Sequence, residues 1–419
     1  MKQDIAFKIL KDGYNVFLTG PAGSGKTYLL NQYITHLKKE NVRYAVTAAT
    51  GIAATHLSGR TIHSWSGVGI HNSLSERDIK DILKNHLIKE RLKNTRVLII
   101  DEISMIHAHQ LDLINKITRL ARASWEPFGG MQVVFSGDFF QLPPIITKDS
   151  DIKRRFVFDA QIWKEMDVKI CYLSEQFRHC DNQIIQILGD IRNNTVNEGT
   201  VEKLQETGTD FDSSDDVTRL FTHNIDVDKI NERKLAKIPG KSYVYDMLDD
   251  GQERIVQALK KSCLAPEKLI LKEGALVMFI RNNFDEGYVN GTIGTVVDFT
   301  DDGFPIVETI DGEEVSVYPE KWELTEENET LAEIMQLPLR LAWAITIHKS
   351  QGMTLDAAEI DLRKCFEYGM GYVALSRVRS LSGIRLLGIN DMALKVDPEI
   401  LKKDKEFQKL SKKAEKEIK

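Results

Sequence analysis

Short unbroken apolar runs alternate with stretches whose apolar residues recur every three or four positions through the first half of the chain. NVFL, RYAVTA, RVLII and MQVVFSG are continuous runs of the kind buried in a parallel sheet with helices on both faces. Leu29, Leu30, Tyr33, Ile34 and Leu37 fall at helical spacing and predict a helix after the first run. Residues 61–96 break the alternation. They are polar and charged, begin with the glycine-bearing SWSGVGIHN, and predict a surface insertion. From DVKICYL onward a second alternating set follows, with TRLFTH, AAEIDL and IRLLGI as its strands. Between 271 and 335 the texture changes to ALVMFI, GTIGTVVDF, FPIVETI and EEVSVYP, short strands parted by glycine and aspartate turns, with IDGE as a hairpin signal. The fold class expected is α/β: a first domain over 1–180 containing the 61–96 insertion, a second formed by 181–270 and 336–419, and a small antiparallel β-barrel inserted at 271–335. There is no repeat of fixed period and no low-complexity segment.

Composition narrows the class. A chain of 419 residues that is 42% hydrophobic and 28% charged suits several packed units, and no apolar run is long enough to cross a bilayer. The start, MKQDIAFKIL, lacks the basic and apolar regions of a signal peptide. Four scattered cysteines (Cys171, Cys180, Cys263, Cys365) form no CxxC pair, which argues against a zinc site or disulfide scaffold and for a reducing, cytoplasmic location. A net charge of −6 argues against coating nucleic acid through bulk charge, yet leaves room for a local groove that tracks a strand. The lysine-rich end KKDKEFQKLSKKAEKEIK reads as a solvated terminal helix, with a nucleic-acid arm as the alternative.

VFLTGPAGSGKT carries the first chemistry. Gly20, Gly23 and Gly25, with Pro21, Ala22 and Ser24 between them, let backbone amides face phosphate oxygens, while Lys26 and Thr27 add charge and a metal-binding hydroxyl. RVLIIDEIS delivers Asp101 to the end of a buried strand, where a carboxylate can hold Mg²⁺ beside Thr27. Glu102 can orient and deprotonate the attacking water, which suits hydrolysis over transfer to a bound acceptor. In SGDFFQLPP, Gln141 can hydrogen-bond the γ-phosphate and sense its loss; the alternative is a proline-bounded loop with aromatics in the core. Arg178 in EQFRH and Arg377 on the helix expected in GYVALSRVRS are candidates to stabilise phosphate charge, a contribution of about 10³–10⁵ in rate.

GPAGSGKT, TGIAA, GRTIHS, DEIS, FGGMQVVFSGDFFQLPP, EQFRH, ITIHKSQGMTLD and YVALSRVRS occur in this order, and together they resemble the Pif family of helicases in superfamily one, branch B, with RecD-like relatives. The resemblance spans about residues 3 to 390. It implies two RecA-like P-loop domains with a small wedge insertion and a small barrel insertion of the Src-homology-three type. It also implies an ATP- and Mg²⁺-dependent monomeric motor, with dimerisation on DNA as a further expectation, that moves 5′ to 3′ on single-stranded DNA and splits duplex or forked DNA. G-quadruplexes are a further family substrate; repair, recombination and telomere maintenance are family roles, and the expected site of action is the bacterial nucleoid. By motif position Lys26, Thr27, Asp101, Glu102, Gln141, Arg178 and Arg377 form the catalytic set, and Gly352 faces the nucleotide from the second lobe. The family reads adenine with a glutamine in an LSxEQ-like segment; here Gln3 has the spacing, and only Met1 and Lys2 precede it.

A threaded strand needs phosphate contacts and stacking faces, not base readout, with stacking worth about 1–3 kcal/mol per base. Thr50, Gly51, Thr61 and His63 in the first lobe and Thr346, His348, Lys349 and Ser350 in the second supply the donors. Phe140 and Pro143 are candidates for stacking or for a separation pin, as is Trp65, for which core packing is the alternative. Two other functions share these motifs: an enzyme remodelling RNA or RNA–DNA hybrids, and a nucleotide-gated single-strand-binding adaptor.

Overall fold

The computed structural model describes residues 1–419 apart from 51–52, 55–58, 70–72, 145–154, 180, 209–217, 223, 284, 310–311, 327–328 and 419. The chain divides into two compact units, Met1–Arg178 with Val396–Lys419, and His179–Lys395.

The first unit is built on a six-stranded sheet: β1 (Asn15–Thr19), β2 (Tyr44–Ala48), β3 (Arg60–Thr61), β4 (Val97–Asp101), β5 (Gln132–Ser136) and β6 (Val168–Tyr172), in the order β3-β2-β4-β5-β1-β6. All pairings are parallel, with Phe17 opposite Phe135 and Val46 opposite Ile99. The continuous apolar runs follow from this: a strand covered on both faces meets apolar neighbours on each side, and β4 is buried throughout, with Asp101 as the polar residue at its end. Helix α1 (Gln3–Lys11) buries Ala6, Ile9 and Leu10 against α2 (Lys26–Lys39), which buries the five residues expected from their spacing. On the other face Phe17, Phe135, Phe139, Phe158 and Trp163 form an aromatic core.

That core corrects one expectation. The last 24 residues do not belong with the second unit. The C-terminal helix (Pro398–Ile418) buries Ile400, Phe407, Ser411 and Ala414 as a stripe along one face. Phe407 lies 5.2 Å from the Phe17 ring and 6.0 Å from that of Phe139. Ser411 Oγ accepts the Tyr172 amide at 3.0 Å, so the helix covers the edge strand β6.

Within 61–96, α3 (Ile62–Ser66) is followed by helices Glu76–Ile82 and His86–Asn94. The first of these starts on a capping box in which Ser75 and Asp78 each satisfy the other's amide. Arg91 ties the segment down by donating from Nε to the Trp65 carbonyl at 2.9 Å.

The second unit has a four-stranded parallel sheet: β7 (Arg219–Phe221), β18 (Ala344–Thr346), β19 (Ala358–Leu362) and β20 (Ile384–Ile389), in the order β18-β7-β19-β20. The intervening strands are antiparallel. β11 (Leu276–Phe279), β12 (Ile293–Phe299), β13 (Pro305–Thr309), β14 (Glu314–Ser316) and β17 (Leu339–Leu341) form one sheet; β9 (Leu248–Gly251), β15 (Glu320–Glu326) and β16 (Glu329–Gln336) another; β8 (Tyr243–Asp246) and β10 (Lys268–Leu271) a pair. The antiparallel region therefore outruns the expected 271–335 at both ends, because β8 and β9 supply partners from before it and β17 pairs with β11 from after it. Part of the IDGE turn lies outside the described residues. Helix α4 (Asn224–Lys237) is fastened to β18 by Asn231, whose side chain exchanges two hydrogen bonds with the Ala344 backbone, at 3.0 and 2.9 Å. Cys171, Cys263 and Cys365 are free thiols, and Cys180 lies outside the described residues. Among the described residues no helix is long and apolar enough to cross a membrane.

Candidate nucleotide and nucleic-acid site

The carboxyl ends of β1, β4 and β5 bring the first-unit candidates together, at the place where a doubly wound sheet gathers its ligand-binding loops. β1 runs into the glycine-rich loop, and α2 starts on Gly25 in the left-handed conformation without a capping side chain, so its first-turn amides and dipole favour an anion. The loop is pinned from the side by the segment after β6: the Phe177 amide donates to the Gly23 carbonyl at 2.9 Å. Gly23 has φ +81°, and a side chain there would place its Cβ 2.6 Å from Arg178 Cβ. Arg178 is thus packed on the loop. Gln3 sits beside it too, with Nε2 3.4 Å from the Gly25 carbonyl. Lys26 Nζ donates to the carbonyls of Gly20 and Pro21 at 2.9 and 3.0 Å; Thr27 is exposed in the first turn of α2, and Ala22 and Ser24 of the loop are buried.

Asp101 ends β4 in a buried position. Burial raises its carboxyl above the ordinary carboxylate range, while the Ser136 hydroxyl, the Glu102 backbone amide and the Lys26 charge each pull it back. Glu102 follows in the left-handed region (φ 50°, ψ 45°), an unfavourable conformation for a residue with a Cβ, which turns the chain sharply at the strand end. At the end of β5, the Asp138 carboxylate accepts the Phe140 amide at 3.2 Å and its carbonyl accepts that of Gln141 at 3.0 Å, which holds Gln141 in a buried tight turn.

The nucleic-acid candidates divide. Thr50, Thr61 and Thr346 each accept, at 3.2 Å, the amide three residues on: Ala53, Ser64 and Lys349. A hydroxyl used this way retains its O–H as a donor; Thr50 and Thr61 are half-buried, whereas Thr346 is buried at 2% exposure. His63 is held neutral: burial lowers its pKa most and the His107 ring lowers it further, against a raising hydrogen bond with Gln110. It offers a ring nitrogen, not a charge. Gly51 lies outside the described residues.

Three assignments are corrected. Ser350 is fully buried, and its hydroxyl donates to the Ile347 carbonyl at 2.8 Å. Phe140 and Pro143 are both buried and present no open face to a base. For Trp65 the core-packing alternative holds, at 1% exposure.

In the second unit Gly352 is exposed at φ +82° in the turn after Ser350. Arg377 lies two residues beyond helix Met370–Leu375, not on it, and is 1% exposed. Its Nε donates to the Val373 carbonyl at 2.9 Å, and its terminal nitrogens reach Ser376 Oγ and the carbonyls of Ser350 and Met353. His348 and Lys349 are half-buried.

Sequence reasoning missed two contributors. Ser136 faces Asp101 from the neighbouring sheet position, and a serine closing an apolar run was the available signal. Phe177, 60% exposed, packs its ring against the Gly25 position. It stood one residue before Arg178 in a motif already singled out.

Residues 2–198 match the family model for PIF1-like helicases, and 255–299 match that for the 2B domain of the DNA helicase Pif1. The ATP-dependent DNA helicase Pif1 of Psychrobacter sp. is 46% identical, over 98% of this chain and 71% of its own length. Among solved structures, Bacteroides sp. Pif1 in complex with ADP-AlF4 superposes with a TM-score of 0.82 at 32% identity, covering 97% of this chain and 96% of that one. The Bacteroides Pif1 complex with ADP-AlF3 and single-stranded DNA gives a TM-score of 0.66 at 33% identity, with the same coverage.

Proposed function

The chain belongs to the PIF1-like helicase family and is an ATP-dependent DNA helicase, and from that premise we propose that it moves 5′ to 3′ along single-stranded DNA as a monomer and opens duplexes, forks and G-quadruplexes in the nucleoid. One observation supports the assignment of the catalytic residues: β1 and β4, separated by β5 alone in a parallel sheet, bring the glycine-rich loop with Lys26 and the buried Asp101 to the same sheet end.

The residues fit a magnesium nucleotide. Among the described residues no cluster of three or more His, Cys, Asp or Glu side chains could hold a metal unaided. A single acid at a strand end and an exposed hydroxyl at a helix start suit an ion whose remaining ligands are phosphate oxygens and water. Thr27 and Asp101 would hold Mg²⁺, which when bound neutralises charge on the phosphates.

The chain's own groups do the rest. The loop amides and the α2 amino terminus orient the phosphates, and Lys26 exchanges its two carbonyl partners for phosphate oxygens. Glu102 takes the proton of the attacking water; its left-handed backbone fixes the direction of approach. Gln141 reads the γ-phosphate, and Arg178 and Arg377 stabilise charge during hydrolysis. Gln3 reads the base, and Gly352 lets the backbone approach the nucleotide. Thr50, Thr61, His63, Thr346, His348 and Lys349 hold the DNA strand through neutral donors and one cation, which reconciles strand binding with a net charge of −6.

Steady-state ATP turnover with no nucleic acid, single-stranded DNA or single-stranded RNA of matched sequence tests the reading. DNA stimulates strongly and RNA does not, if it holds. Equal stimulation by RNA would make the protein an RNA remodeller, and no stimulation by either would leave an adaptor.

A further inference from the structure

His179 closes the EQFRH segment, in which Arg178 alone has a proposed role. The two neighbours are anchored differently. Arg178 ends the first unit and packs on the P-loop, and the Phe177 amide before it donates to the Gly23 carbonyl. His179 begins the second unit, is 5% exposed, and has Nε2 3.3 Å from the Ser376 carbonyl. A carbonyl only accepts, so that nitrogen carries the proton. Asp181 adds a second tie: one carboxylate oxygen accepts the Leu381 amide at 2.9 Å, and the other accepts the Gln183 amide at 2.8 Å. The segment after Arg178 is therefore fastened to the chain just before and just after Arg377.

What His179 holds is the peptide group from which Arg377 departs. The Ser376 carbonyl and the Arg377 amide share one plane. That amide donates to the Ala374 carbonyl at 3.2 Å, a bond within the same turn. The next peptide is held by a different segment, because the Arg377 carbonyl accepts the Leu355 amide at 2.9 Å. His179 thus restrains the peptide before Arg377 from outside its own turn, as Leu355 restrains the one after it. The side chain has bonds of unequal quality. Nε to the Val373 carbonyl and one terminal nitrogen to Ser376 Oγ are 2.9 and 2.8 Å, while the other terminal nitrogen stands 3.5 and 3.4 Å from the carbonyls of Ser350 and Met353. The long pair is the one a phosphate oxygen replaces most readily.

We propose that His179 is a positioning residue for Arg377: it fixes the backbone from which the guanidinium meets the charge that develops during hydrolysis. A misplacement of about 1 Å in a catalytic group costs about 10²-fold in rate, so one buried hydrogen bond at the root of the arginine is enough to matter. The bond also links the two arginines. Arg178 and His179 are joined by one peptide, about 3.8 Å between Cα atoms, so a displacement of the first with the P-loop passes to the second. The inference rests on the catalytic reading of Arg377, and it gives a role to a residue that reading leaves unused.

The test combines ATP turnover on single-stranded DNA with binding of ADP, and of ADP with aluminium fluoride, to the full chain in the presence of Mg²⁺. His179→Leu should lower kcat about 10- to 100-fold while KM for ATP and affinity for ADP stay nearly unchanged, because the lost stabilisation belongs to the transition state. Its affinity for ADP with aluminium fluoride should fall by a similar factor. His179→Gln, whose amide places an N–H where Nε2 stands, should restore both; His179→Asn, one carbon shorter, should not. Should His179→Leu fail to fold, the Gln and Asn variants carry the same comparison. In an Arg377→Ala background, His179→Leu should weaken aluminium fluoride binding no further. Equal weakening of ADP with and without aluminium fluoride, failure of Gln to rescue, or losses that multiply in the Arg377→Ala background would overturn the proposal and leave His179 structural. Aluminium fluoride binding untouched by Arg377→Ala would remove Arg377 from the site, and the proposal would fall with that assignment.

Discussion

Phe407→Ala tests where the end of the chain belongs. Phe407 is 3% exposed and packs against Phe17, Phe139 and Phe158, with ring centroids 5.2, 6.0 and 6.1 Å away. Truncating a buried phenylalanine removes its transfer free energy and leaves a cavity, together about 3–5 kcal/mol. Each aromatic pair contributes about 0.5–1.5 kcal/mol beyond area, and three are lost, which places this residue toward the upper part of that range. Alanine's better helix propensity returns about 0.5 kcal/mol. A unit of this size shifts by about 2–4 °C per kcal/mol, so its melting transition should fall by about 8–18 °C. Differential scanning calorimetry reads it, and the transition that moves should be the one a non-hydrolysable ATP analogue raises, because the P-loop lies in the same unit. A fall below about 2 °C, or a fall in the transition that nucleotide leaves alone, would refute the placement of Val396–Lys419 in the first unit.

Other expectations concern the nucleotide site. Glu102→Gln should bind ATP and DNA normally and hydrolyse about 10²- to 10⁴-fold more slowly; normal single-turnover rates would remove Glu102 as the base. Asp101→Asn should abolish magnesium-dependent turnover yet melt higher than the wild type at pH 7. The fold raises the Asp101 carboxyl, so it prefers the protonated form; that stability is complete below the unfolded value near pH 3.8 and lost as pH rises through the raised one. The difference in melting temperature should therefore vanish toward pH 3.5–4 and grow above it, and a constant difference across pH would contradict the assignment of burial as its cause. Gly23→Ala meets both a positive φ and the 2.6 Å approach of Arg178, so it should lose more than about 1 kcal/mol of stability together with ATP affinity, measured by calorimetric titration. Arg377→Ala should abolish turnover with a modest loss of DNA affinity.

The first-unit strands and the buried face of α2 were legible because a parallel sheet and an amphipathic helix leave direct periodicities in the sequence. The phosphate loop, Asp101 and Arg178 were legible as strings, and folding brings these strings to one place. What escaped was whatever depended on partners distant in sequence. The C-terminal helix hides four inward residues among its lysines, and the composition of such a tail says solvent until Phe17 and Phe139 are seen to receive Phe407. β9 (LDDG) is fully exposed and carries no apolar alternation; it is a strand only because β16 pairs with it. Phe140 and Pro143 illustrate the opposite error: residues suited to stacking were read as available, and availability is a property of packing.

The central claim is that nucleotide hydrolysis at the P-loop drives movement along a DNA strand in one direction. Unwinding of identical duplexes carrying a single-stranded tail on the 5′ or the 3′ side, with ATP and Mg²⁺, tests it most directly. The account predicts strand separation from the 5′-tailed duplex, abolished by Glu102→Gln and by withholding ATP; separation from the 3′-tailed duplex alone, or separation that persists without hydrolysis, would contradict it.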